Sequence, residues 1–249
     1  MANIAMTAAD ILKWIAWGPV SVQRFHGYNN QAGTLYIQLH EITPKSDGTV
    51  TAGSVPKVKS FQVLAGLPFS FEMVNDITMS ELVVCISSTE ANYTAVAAAG
   101  GLDMTVTVAS DFLCDGTEVV VGDLTTTVNT LQAWAEAAGP NSLLTLKVTE
   151  LLNTDNRYIV IEATDADANV PEGRIFPLPK NTTVNKHFGT RGEFVMSQTT
   201  PVVVPGTPGA AIAPSLKQGC TIRIVDGVSF PWNQSANTGY IRAVYRPNA

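Results

Sequence analysis

Apolar and polar residues alternate along much of the chain. From Thr34 to His40, Leu35, Ile37 and Leu39 fall on one face and Tyr36, Gln38 and His40 on the other. That period of two is how a half-buried strand reads. Similar runs follow at Val55–Val63, Phe69–Val74, Leu82–Ser88 and Met104–Val108, separated by turn material at Asn29–Gly33, Lys45–Gly48 and Ala65–Gly66. Strands and turns at this spacing predict one all-β unit, a sandwich or a barrel, over residues 1 to about 110.

The pattern then changes. Thr117–Val121 reads as a strand, and Asp123–Ala138 as a helix with Val128, Leu131, Trp134 and Ala138 at helical spacing and Gly139-Pro140 as its stop. Strands at Leu143–Leu151 and Tyr158–Ala163 complete a β-β-α-β-β block. Gly192–Ser197, Val202–Val204, Cys220–Val225 and Tyr240–Tyr245 return to β, interrupted by the Pro/Gly-rich stretch 205–214, a loop or extended arm. The expected architecture is mainly β. It comprises a jelly-roll-like β-sandwich (1–110), a small α+β module (111–170) and a β-rich C-terminal segment (171–249).

Composition narrows the function classes. Of 249 residues 14% are charged and 45% hydrophobic, with a net charge of −6, which argues against disorder. A pI near 5.0 argues against a general nucleic-acid binder, which needs concentrated Lys and Arg. The charge is unevenly placed. Residues 103–170 hold eleven acids and two bases (net −9), and residues 171–249 hold three acids and eight bases (net +5). Two readings stand: solvated surfaces of opposite sign, or segments that meet within the chain or between subunits. On the second, Arg223, Arg242 and Arg246 are interface candidates.

Individual side chains carry little chemistry. The N-terminus lacks an apolar signal core and reads as a cytosolic start, and no run is long enough for a membrane-spanning helix. Cys85, Cys114 and Cys220 are scattered, without a CxxC pair, so neither a disulfide framework nor a zinc site is indicated. His26, His40 and His187 form no metal or triad spacing, and His40 and Glu41, as strand neighbours, face opposite ways. No nucleophile elbow, phosphate loop or dinucleotide fingerprint occurs, so neither an enzyme nor a cofactor is expected. Asp165, Asp167 and Asn169 begin like a calcium loop, but Val170 stands where Gly is needed and Phe176 where a bidentate carboxylate belongs. Trp14, Trp17 and Trp232 are partner anchors or, for the first two, core residues. Tyr28-Asn-Asn30 and Tyr93 suit a glycan platform, an exposed aromatic beside an amide or carboxylate.

One resemblance adds to this. The run Gly18–Glu41, with its "LYIQLHE" strand, the proline-led Val55–Lys59, Phe69-Ser-Phe71, and the Glu81–Thr94 segment containing "VCISSTEA" resemble small β-sandwich proteins of tailed-bacteriophage particles. The resemblance covers about the first 110 residues and carries over no catalytic residue. It implies a virion protein that decorates or cements a capsid or forms a fibre base, with copies of itself and the major capsid protein as partners. An adsorption module that binds a host receptor or glycan is the alternative.

Overall fold

A computed structural model describes residues 1–43, 48–114, 118–124, 130–135, 141–150, 155–163, 175–187, 195–196, 218–225, 228 and 239–247. The chain divides into two compact units, Met1–Asp115 and Gly116–Ala249. Mainly β structure is common to both, and no helix occurs among the described residues.

The first unit contains β1 (Ala2–Met6), β2 (Leu12–Ala16), β3 (Val20–Tyr28), β4 (Leu35–Glu41), β5 (Phe61–Val63), β6 (Pro68–Met79), β7 (Leu82–Ser87) and β8 (Asp103–Ala109). They form two four-stranded sheets, β1-β8-β3-β6 and β2-β7-β4-β5, antiparallel throughout. Alternation decides which side chains turn inward. Ile4 and Met6, Leu35, Ile37 and Leu39, Leu82, Val84 and Ile86, and Met104, Val106 and Val108 join one buried cluster fed by both sheets. Face-to-face burial of this kind defines a sandwich core. On β3 the inward residues are Val20 and Val22 but then Phe25, because the register slips between Val22 and Arg24 against both neighbours. The extra residue, Gln23, shifts the inward set by one.

The two outer faces differ. That of β1-β8-β3-β6 is polar. Arg24 donates to Ser70 Oγ at 3.3 Å and lies 3.9 Å from Glu72, and Thr107 donates to Asn3 Oδ1 at 2.9 Å. Such exposed pairs contribute little stability. The outer face of β2-β7-β4-β5 instead carries a second cluster. Val83 and Cys85 pack with Ile42 and Tyr93, and with half-buried Leu12, Trp14 and Val50.

Gln38 organises this covered face. Its Nε2 donates to the carbonyls of Thr89 (3.0 Å), Glu90 (3.1 Å) and Asn92 (3.3 Å), which orients Oε1 to accept from His40 Nε2 at 3.2 Å. Ser87 Oγ adds bonds to the carbonyls of Thr89 and Asn92. Replacing Gln38 with Ala removes its three bonds to the 89–92 carbonyls and the acceptor of His40 Nε2, so Gln38→Ala is expected to cost about 1–3 kcal/mol. Urea denaturation measures it, and proteolysis is expected to begin within 88–94.

The sequence-predicted strand Val55–Val63 is corrected to Phe61–Val63. Pro56 has no N–H to give a ladder, and this stretch crosses the sheet as a loop, with Lys57 N donating to Leu39 O at 2.8 Å.

The second unit contains β9 (Glu118–Leu124), β10 (Thr130–Ala135), β11 (Asn141–Glu150), β12 (Arg157–Ala163), β13 (Ile175–Leu178), β14 (Thr183–His187), β15 (Val195–Met196), β16 (Gln218–Val225) and β17 (Gly239–Pro247). Its sheets are β10-β16-β12-β13 and β14-β11-β17-β9, with β15 also on β11. The predicted helix is a second correction, since Thr130–Ala135 is a strand paired with β16 from Thr130↔Arg223 to Ala135↔Gln218. Leu131, Ala133 and Ala135 also fit a period of two, and a long-range partner overrides so short a helical pattern. Asp123, read as the start of that helix, is instead in β9 opposite Tyr240, and 125–129 and 136–140, which include the predicted stop at Gly139-Pro140, lie outside the described residues.

The acidic and basic segments meet at the level of strands. β16 lies between β10 and β12, and β17 between β11 and β9. Each C-terminal strand thus has both neighbours in the acidic block.

Candidate binding surface

Antiparallel order brings four connections of the first unit to one end: residues 7–11, 29–34, 64–67 and 88–102. Asn29 ties two of them together. Buried, it accepts from Gln31 N through Oδ1 (2.9 Å) and donates through Nδ2 to Gly33 O (3.0 Å) and Val63 O (3.2 Å). Its own N–H bonds Leu67 O at 3.0 Å.

Tyr28 closes β3 at this end with 46% of its surface exposed. Its hydroxyl donates to Gly66 O at 3.0 Å, which fixes the ring beside the 64–67 turn. Gly66 supplies the positive φ of 68° that the turn requires. Leu64 (52% exposed) and Leu67 (49%) flank it. On the other side, register sets Asp103 directly opposite Tyr28, and directly opposed residues share a face.

The Asp103 carboxylate is held by two donors, Ala8 N to Oδ1 at 3.0 Å and Asn30 Nδ2 to Oδ2 at 3.2 Å. Asn30 Oδ1 in turn accepts from Gln31 Nε2 at 2.8 Å. The result is a fixed corner of an exposed aromatic ring, a carboxylate and a primary amide, beside a turn that carries two exposed leucines. Close packing of Gly27 permits it, because a Cβ there stands 2.3 Å from Asp103 O.

Of the sequence candidates, Tyr28 and Asn30 are brought together here. Tyr93 is not, being 4% exposed and edge-on to His40 at 5.9 Å. It is corrected from platform to core residue, because the covered outer sheet face needs an aromatic cap. Trp17 is buried and meets half-buried Trp14 edge-to-face at 6.1 Å, so both rings pack within the first unit. Arg223 lies on β16 opposite Thr130 and Val160, Arg242 on β17 opposite Lys147 and Val121, and Arg246 opposite Ser142. Trp232, the calcium candidates Asp165, Asp167 and Asn169, and the stretch 205–214 lie outside the described residues. Among the described residues no group of three His, Cys, Asp or Glu could hold a metal ion. His26 and His40 belong to different sheets. Asp103, Leu64 and Leu67 escaped the sequence reading. The leucine pair flanking Ala65-Gly66 was its one visible signal, since apolar residues at a hairpin tip have no core to face.

His40 and Glu41 both have lowered proton affinities. Burial lowers the His40 pKa below its ordinary 6.5. Glu41 is lowered to about 2, first by its hydrogen bond from Lys57, then by Ser80 N–H. For both, the unfolded chain binds the proton more readily. Stability is therefore full above the unfolded values and declines as pH falls, first below 6.5 through His40 and then below 4.5 through Glu41. Urea midpoints at pH 7.5, 5.5 and 4 are expected to fall in that order, and His40→Gln to flatten the first step. Burial pushes the Cys85 thiol up to about 12, so it is inert toward thiol reagents in the folded protein.

No protein-family model matches the chain, and a search of curated proteins finds no match.

Proposed function

We propose that this chain is a non-enzymatic structural component of a bacteriophage particle. It is made in the host cytoplasm and decorates or cements the capsid through contacts with copies of itself and the major capsid protein. The observation that carries this reading is the order of the first eight strands. β4 pairs with β5, and β3 with β6, β2 with β7 and β1 with β8. The eight strands thus form one long nested hairpin, rolled so that β8 also reaches β3 and β7 also reaches β4. This order supports a jelly roll, an architecture of viral capsid and lectin domains.

Fold alone does not assign function. The virion part of the reading rests on the phrasing shared by Gly18–Glu41 and Glu81–Thr94 with phage sandwich proteins. A low charged fraction and a broad polar sheet face also suit a protein that buries surface against repeated neighbours.

Mass spectrometry of purified tailed-phage particles from lysates expressing the gene tests it. The chain is expected in stoichiometric amount with the shell, and an antibody against the first unit is expected to label the capsid. Its presence only in the soluble fraction would contradict the reading.

A further inference from the structure

We propose that the Tyr28–Asn30–Asp103 corner is a saccharide-binding site. It takes one pyranose ring, with the sugar's C–H face on Tyr28 and its hydroxyls donating to the Asp103 carboxylate. This goes beyond the assembly role and does not depend on it.

Three features select this ligand class. Tyr28 is half-exposed, and the bond from its hydroxyl to Gly66 O favours one ring orientation. A ring fixed in this way offers a face at low entropic cost. Asp103 is oriented by Ala8 N and Asn30 Nδ2, and these two donors leave half of its roughly four acceptor sites for a ligand. Leu64 and Leu67 are exposed on the turn whose Gly66 carbonyl accepts from the Tyr28 hydroxyl.

A ligand for this corner needs a flat apolar face and hydroxyl donors along one edge, which is how a pyranose is built. An anion is repelled by Asp103. A wholly apolar ligand would cover the remaining acceptor sites of that carboxylate without supplying a donor, at a desolvation cost.

Glycan-array binding, followed by saturation-transfer NMR with the methyl glycosides of glucose, galactose and N-acetylglucosamine, tests the site on the full chain. Binding is expected, with transfer strongest to the ring C–H protons. Tyr28→Ala is expected to abolish it and Asp103→Asn to weaken it about tenfold, whereas Tyr28→Phe, which keeps the face, stays within about threefold. Thermal melts confirm that the variants fold. If Tyr28→Ala does not fold, Asp103→Asn and Asn30→Ala, which removes the amide holding Asp103, decide. Absence of any array signal and of any saturation transfer overturns the proposal. Binding that is unchanged in the folded variants overturns it equally, even if the protein proves to be a particle component.

Discussion

A chain ending at Lys217 is expected to lose the second unit while keeping the first. β16 and β17 are the shared neighbours in their sheets, and β9 and β10 have no other strand partner among the described residues. Removing residues 218–249 opens the ladders of β9, β10, β11 and β12 together, leaving their backbone N–H and C=O groups without partners. The loss is comparable to the whole stability of a domain, about 5–15 kcal/mol. Limited proteolysis read by mass spectrometry is expected to leave a resistant fragment ending near Asp115, whereas the full chain yields a second resistant fragment. Equal resistance of both units in the truncated chain would show that the C-terminal strands are not central to the second.

Phe25→Ala is the point substitution expected to cost most in the first unit. Phe25 is fully buried, sits on β3 between β6 and β8 and packs its ring 5.3 Å from that of Phe61, which in turn lies 5.4 Å from Phe71. Deleting the ring removes apolar burial and leaves a cavity that two rigid sheets cannot close, a cost of about 3–5 kcal/mol. Phe25→Leu, which keeps most of the volume, is expected to cost about half as much or less. Val74→Ser provides the contrast, since Val74 is 97% exposed, and should stay within about 0.5 kcal/mol. Urea denaturation of the three variants gives the order directly. A Phe25→Ala effect as small as that of Val74→Ser would place the core elsewhere.

The first unit was legible where alternation is strict. Leu35, Ile37 and Leu39 announced β4 and its buried face, and Met104, Val106 and Val108 announced β8, because one face of each strand meets core. β7 was readable as a continuous apolar run, Leu82–Ile86, and the structure shows why: both faces are covered, one by the sandwich core and one by Tyr93 and its neighbours. The bulge at Gln23 was hidden, since a register slip leaves no mark in composition. In the second unit the reading failed at Thr130–Ala135, whose partner stands nearly ninety residues later in the chain. Local periodicity holds no information about so distant a strand. For the binding corner, Tyr28 and Asn30 were visible as the tripeptide Tyr28-Asn-Asn30. Asp103 was not, because only the β3–β8 register brings it opposite Tyr28.

The charge asymmetry gained a physical meaning from the same pairing. A −9 block and a +5 segment are interleaved strand by strand inside one unit, with the strand arginines set opposite Thr130 and Val160, Lys147 and Val121, and Ser142 and not opposite carboxylates.

Light scattering coupled to size exclusion, run across a range of protein concentration with the full chain, tests most directly the claim that this protein works by association with itself. The account predicts a mass that is a multiple of 26.5 kDa and grows with concentration toward a fixed stoichiometry. A strict 26.5 kDa monomer at every concentration would contradict it.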